Sequence, residues 1–239
     1  MPARLPTPAD FPPNITLTIT PPPPSHPPTN ILLLLHGLGD THLPFHTLGT
    51  QLALPDTACI AIRGPTPLPF DLGGYHWADD LSFTGTGEME ADSGFAGAGR
   101  VLAGVMAGLE GCGYTARDVV VFGFGQGGMV GLGFAAGLEG AEEMGGVVSV
   151  GGRLAAGVEL KSGKGRTPVL VCRAARGSEV TDGAVRKLRD AFEFVEVKEW
   201  RRNGDGMPSS REEMLPIMQF FARRLRSARG VPEGSVEIR

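Results

Sequence analysis

Residues 119–128 read Val-Val-Val-Phe-Gly-Phe-Gly-Gln-Gly-Gly, VVVFGFGQGG. An apolar run suited to a buried strand enters a glycine-rich turn, and a helix follows near 126–138. A strand–turn–helix of this form is a nucleophile elbow when G-x-S-x-G places a serine at its centre. The central residue here is Gly125, which has no side chain to attack with. Gly123, Gly125 and Gly128 also spell G-x-G-x-x-G, the dinucleotide-binding fingerprint. A plain tight turn is the third reading.

Working outward, strands and helices alternate. ILLLL (31–35) is a continuous apolar run ending at His36-Gly37, as in a strand covered on both faces. ACIAIR (58–63), GVVSV (146–150), PVLVC (168–172) and FVEVKEW (194–200) read as further strands. Helices are expected near 44–53, 94–110, 126–138 and 182–192. Ser210-Arg211-Glu212-Glu213 has the form of a capping box opening a last helix. The order predicts an α/β fold, a mostly parallel central sheet with helices on both faces. This argues against the dinucleotide reading. That fingerprint belongs to the first strand of its unit, and an acid ends the next strand. Here at least two strands come earlier, and the next strand ends Val150-Gly151-Gly152-Arg153.

Residues 1–30 read as a proline-rich arm. NITLTIT (14–20) alternates like an edge strand. PPPPSHPP (21–28) is expected to be extended polyproline, a stiff connector in preference to a ligand for SH3- or WW-like domains. Residues 31–228 form the expected domain and 229–239 a frayed tail. Residues 64–93 form a long loop rich in Gly, Pro and acid, and loops of that length in a compact domain are usually functional. Glu88, Glu90, Asp92 and Ser93 are expected to end this loop and start the next helix. Arg223, Arg224, Arg226 and Arg229 suit the solvated end of the last helix, where positive charge meets the dipole.

Composition narrows the function classes. The chain has 239 residues, 41% of them hydrophobic and 20% charged, which fits a globular protein with a sizeable core. A net charge of −4 gives no electrostatic reason to expect nucleic acid or an anionic membrane as partner. Cys59, Cys112 and Cys172 lack metal-ligand spacing and read as buried, reduced thiols. No metal or cofactor is expected. No signal-peptide pattern or membrane-length apolar run is visible, so the expected location is cytoplasmic.

With the segments after the strands lined up, the chain resembles the acyl-protein thioesterase and carboxylesterase family of α/β-hydrolases. LLLLHGLGD (32–40) is similar to that family's first long strand and oxyanion loop. Arg63-Gly64-Pro65-Thr66-Pro67, followed by Gly74-Tyr75-His76-Trp77, resembles its substrate-side loop. VVVFGFGQGG matches its G-F-S-Q-G-G elbow with one change, and PVLVC resembles the strand before its acid loop. The similarity covers roughly residues 30–225. It implies an α/β-hydrolase fold, and a catalytic unit in the order Ser, acid, His. The nucleophile position is Gly125, the acid position falls near Gly177 and the histidine position near Pro208. The five histidines are 26, 36, 42, 46 and 76, so none follows Trp77. In a measured serine protease, losing such a unit costs on the order of 10⁶-fold in kcat. The oxyanion donors, by resemblance the backbone N–H groups of Leu38 and Gln126, survive side-chain change.

In parallel sheets ligands bind at the carboxyl ends of the strands. The residues to watch are therefore His36–Asp40, Arg63–Asp80, Gly123–Gly128, Gly151–Arg153, Arg173–Asp182 and Arg201–Ser210. Within them His36, Asp40, His76, Trp77 and Asp79 are the pocket candidates. Trp77 is expected to cover the pocket, His36 to brace the oxyanion loop, and His76 and Asp79 to be exposed loop residues. Two functions remain open. One is a non-catalytic member that binds a small acyl or carboxylate ligand, or a protein partner, through the old cleft. The other is a repurposed ester or thioester hydrolase working through water with His36 or His76. The resemblance also leaves a homodimer open.

Overall fold

The computed structural model describes residues 3–70, 72–81, 92–139, 142–159 and 161–227. Nine strands and five helices follow one another in these residues: β1 (Leu17–Thr20), β2 (Asn30–Leu35), α1 (His42–Leu52), β3 (Thr57–Ile62), β4 (Thr66–Pro67), β5 (Tyr75–His76), α2 (Ala96–Gly111), β6 (Val119–Phe124), α3 (Gln126–Gly137), β7 (Gly146–Val150), β8 (Val169–Arg176), α4 (Asp182–Ala191), β9 (Val195–Asn203) and α5 (Arg211–Arg224).

Seven strands form one sheet in the order β1-β3-β2-β6-β7-β8-β9. Six run parallel, and β1 joins the edge antiparallel to β3, with Leu17 opposite Ile62. The continuous apolar runs at β2, β3 and β6 are the central strands, because they are covered on both faces. Ile31, Leu33 and Leu35 face α2, α3 and α4, where Leu102, Val105, Leu132 and Leu188 complete one core layer. Leu32 and Leu34 face the opposite layer with Phe45 of α1 and Ile217, Phe220 and Phe221 of α5. The expected α/β-hydrolase architecture is the one observed. Ser210 caps α5 by accepting from Glu213 N–H at 3.2 Å, while the Glu213 carboxylate reaches back to Ser209 N–H at 2.8 Å, one residue before the cap itself.

Several expectations need correction. The edge strand is shorter than 14–20, covering Leu17–Thr20 alone. The proline run is not uniformly extended: Ser25 has φ 70, and His26 N–H donates to Pro23 O at 3.1 Å, so the segment turns in its middle. His26 then binds the buried Asp56 carboxylate at 2.8 Å. This holds the segment as a connector. The first residues also dock: Phe11 is buried against α2, where Gly108 leaves it room. The long loop contains the small β4–β5 hairpin. The basic run is not all solvated helix end. Arg223 lies exposed in the last turn of α5 as expected, paired with Glu196 at 2.7 Å, but Arg226, beyond the helix, pairs with the buried Asp118. Glu88, Glu90, Arg229 and the 229–239 tail lie outside the described residues. Cys59, Cys112 and Cys172 are free and buried, and burial pushes the Cys59 and Cys172 thiols up to about 12. No helix among the described residues is long and apolar enough to cross a membrane.

Candidate functional site

β6 delivers the glycine turn to the carboxyl edge of the sheet. Gly125 has φ 51 and ψ −118, a conformation that side-chain-bearing residues rarely adopt. Its N–H donates to Val150 O at 2.9 Å, and its carbonyl accepts from Met129 N–H at 3.0 Å, so the turn is locked from both sides. The flanking glycines are demanded by contact. A Cβ on Gly123 would lie 2.4 Å from Gly127 C, one on Gly127 2.3 Å from Leu35 O, and one on Gly128 2.2 Å from Ser149 Oγ. Strand-to-helix packing therefore accounts for these glycines without a nucleotide. The central position is different. A Cβ on Gly125 would meet nothing closer than Gly37 Cα at 4.0 Å. The turn keeps the strained backbone and the open space of an elbow, without a side chain to use them.

Two loops frame this space. After β2, residues 36–40 fold under the hairpin: Gly39 N–H donates to Tyr75 O at 2.9 Å, and Gly74 approaches so closely that a Cβ there would lie 2.1 Å from Gly39 O. Leu38 sits at the apex of the loop, and its N–H meets no acceptor among the described residues. Gln126 opens α3, so its backbone N–H belongs to the positive first turn of that helix. Its buried side chain faces away from the opening, and Oε1 accepts from Trp77 N–H at 3.0 Å.

His36 is fully buried and its hydrogen-bonding capacity is spent. Nε2 accepts from Gly64 N–H at 2.8 Å, which fixes the proton on Nδ1, and Nδ1–H donates to Gly37 O at 2.7 Å. Burial holds the imidazole below the ordinary histidine range. Trp77 does not cover a pocket: it is fully buried, and its indole N–H donates to the His36 carbonyl at 2.8 Å. His76 is not an exposed loop residue either. It is buried with no partner for Nδ1, and burial lowers its pKa. The hairpin folds inward because Gly64 lets the His76 backbone approach. Asp40 is half-buried and accepts from Thr41 N–H at 2.7 Å. Asp79 caps α2, accepting from Ala96 and Gly97 N–H at 2.7 and 2.6 Å.

The loops after β8 and β9 hold the other two positions assigned by resemblance. Gly177 has φ 63 and stands beside Gly204, whose N–H donates to Arg176 O at 2.9 Å. Pro208 follows in the β9–α5 loop. The carboxylate that links these loops is Asp205. Oδ1 accepts from Ala174 N–H at 2.9 Å, and Oδ2 accepts from Ser178 Oγ–H at 2.8 Å and Glu179 N–H at 3.0 Å. Asp205 also packs against Gly151, where a Cβ would lie 2.6 Å from its own. With three donors around it, Asp205 is a clamp between loops. Sequence reasoning missed it; its only local signal is the glycine on each side.

An apolar cavity of about 500 Å³ opens one helical turn along α3 from the elbow. Met129, Val130 and Phe134 of α3, Phe95 beside α2, and Val158 line it, with Asp79 at its wall. Of the five pocket candidates only Asp79 lines this cavity. Asp92, also in the wall, binds Arg153 at 2.7 Å and accepts from Ala156 N–H at 2.8 Å, which ties the start of α2 to the loop after β7. At Gly99 and Gly137 a Cβ would meet nothing within 4 Å, so missing side chains hold the cavity open. No group of three or more potential metal ligands occurs among the described residues.

A family model described as phospholipase/carboxylesterase matches residues 21–221. An uncharacterized hydrolase of Schizosaccharomyces pombe is 29% identical over 201 residues, 82% of this chain and 83% of that protein. An uncharacterized hydrolase of Mycosarcoma maydis is 32% identical over 154 residues, 62% and 58% of the two chains. Among solved structures, esterase PE8 superposes with a TM-score of 0.72 at 20% identity, covering 88% of this chain and 99% of that one. Zea mays acyl-protein thioesterase 2 superposes with a TM-score of 0.64 at 19% identity and the same coverage.

Proposed function

The chain belongs to the phospholipase/carboxylesterase family, and from that premise we propose that it is a member without the Ser–acid–His unit, binding a small acyl or carboxylate ligand in the old cleft. The observation that carries this reading is the elbow. Its strained turn and enforced flanking glycines persist around Gly125, while 177 is Gly and 208 is Pro. The apolar cavity beside α3 has the size of a small-molecule site and favours an acyl chain over a broad protein surface. The ligand's carboxylate or carbonyl faces the Leu38 and Gln126 backbone N–H groups and the positive end of α3.

The repurposed hydrolase is the weaker reading. His36 would have to break two hydrogen bonds inside the core before taking a proton. That leaves His76, whose unpaired Nδ1 is the single observation in its favour. The test is turnover of short- and long-chain acyl esters and thioesters by purified protein, with a serine-directed phosphonate control and binding of a fluorescent fatty acid. Binding without turnover is the expected result. Reproducible turnover that is insensitive to the phosphonate and abolished by His76→Ala would replace the binding reading with the hydrolase reading.

A further inference from the structure

The parallel pairing of β8 with β9 slips by one residue near its carboxyl end. Ala174 faces Trp200, but Arg176 faces Asn203. Two steps on β8 therefore match three on β9, and the extra residue is a β-bulge at Arg201-Arg202. In a regular strand these neighbours would point to opposite faces; a bulge re-aims them. Here Arg201, Arg202 and Asn203 line one concavity of about 550 Å³ together with Ala175 and Arg176.

Three arginines thus line one concavity at the ends of two neighbouring strands, in a chain whose net charge is negative. Arg202 is held in place. Its Nη1 donates to Met207 O at 3.1 Å and to Glu213 at 3.3 Å, and Gly206 lets the loop lie flat against it, since a Cβ there would be 2.5 Å from Nη2. Arg176 and Arg201 are exposed, and their side chains have no hydrogen-bond or ion-pair partner among the described residues. Three carboxylates of these strands and loops are already engaged: Glu199 with Arg173 at 3.1 Å, Glu213 with Arg202, and Asp205 with its three donors. Arg202 is thus paired with Glu213, while the positive charges of Arg176 and Arg201 are not neutralised from within. Guanidinium forks match the geometry of phosphate oxygens, and several converging forks favour a dianion over a single carboxylate.

We propose that the concavity at Arg176, Arg201 and Arg202 is a phosphate-monoester subsite, recognising the dianionic phosphate of a ligand or lipid headgroup. It lies outside the elbow and the apolar cavity, beside the loops in which the acid and histidine positions hold Gly177 and Pro208. It needs no turnover, and it extends the binding reading of the cleft without depending on it.

The experiment uses the full chain and the double variant Arg176→Gln/Arg201→Gln, with Arg202 left intact because it braces the β9–α5 loop. Glycerol phosphate is titrated calorimetrically, and a fluorescent fatty acid is titrated in parallel. The expected result is saturable glycerol phosphate binding that weakens by about tenfold or more in the double variant and with added salt, with fatty-acid affinity unchanged. Co-sedimentation with vesicles containing phosphatidic acid, compared with pure phosphatidylcholine vesicles, distinguishes the sources. Arginine-dependent capture by the former without glycerol phosphate binding assigns a lipid headgroup, and the reverse assigns a soluble ester. Equal phosphate binding by parent and variant, or no binding to either probe, overturns the subsite. Loss of fatty-acid binding alone would sink the cleft reading and leave this one standing.

Discussion

Placing a serine in the elbow tests the site most directly. In Gly125→Ser the new Cβ has room, since its nearest neighbour would be Gly37 Cα at 4.0 Å. The cost is conformational: φ 51 with ψ −118 is worth about 1–3 kcal/mol for a residue other than glycine. At about 2–4 °C per kcal/mol for a chain of this size, the melting temperature should fall by roughly 2–12 °C. Turnover should stay at the parent level. Gly177 and Pro208 supply neither acid nor base, and the His36 ring nitrogens are both occupied. Triad members act as a unit, so the serine alone should recover almost none of the factor on the order of 10⁶ that the unit supplies. Adding Gly177→Asp and Pro208→His is what should bring phosphonate-sensitive hydrolysis. Scanning fluorimetry, acyl-ester turnover and mass-spectrometric detection of a phosphonate adduct read the three parts. Stoichiometric adduct formation with turnover in Gly125→Ser alone would show that a base stands within reach of residue 125, and the argument for a lost unit would fail. A far larger drop in melting temperature would refute the reading of open space.

Other perturbations probe the surroundings. Burial keeps the His36, His42 and His76 imidazoles below the ordinary range, so the unfolded chain takes up protons near pH ~6.5 that the folded chain resists. Their contribution is complete above that pH and is lost as pH falls toward the depressed folded values, by up to about 1.4 kcal/mol per pH unit for each histidine. Urea midpoints that stay level as the pH is lowered through this window would contradict it. Gly99 lies in α2 with open space beyond it, so Gly99→Ala should gain about 0.5–1 kcal/mol in chemical denaturation. Gly99→Leu should fill the cavity and abolish fatty-acid binding in a folded protein; retained affinity would place the ligand elsewhere. Asp205→Ala removes the acceptor of three donors and should cost about 1–3 kcal/mol, with faster amide exchange at Ala174 and Glu179. Unchanged exchange at both amides would mean that the clamp does not hold these loops together.

The fold was legible in the sequence because its signals are local. Continuous apolar runs at 31–35, 58–63 and 119–123 mark doubly covered strands, and the intervening helices force the parallel order. The absence of a serine at 125 and of any histidine after Trp77 is equally a property of the chain alone. What the side chains do with their hydrogen-bonding groups is not local. His36 is committed by Gly64, 28 residues away, Trp77 is drawn under Gln126, 49 residues on, and Asp205 reaches Ala174 across 31 residues. No periodicity records such pairs. A one-residue slip between β8 and β9 is likewise invisible until both strands are paired, yet it falls at Arg201 and Arg202, which both line one hollow. Chain-local patterning determined the scaffold and set glycine at 125 and 177 and proline at 208. Tertiary packing decided which of the remaining groups are spent on structure and which are left exposed, because that choice depends on partners far away in the chain.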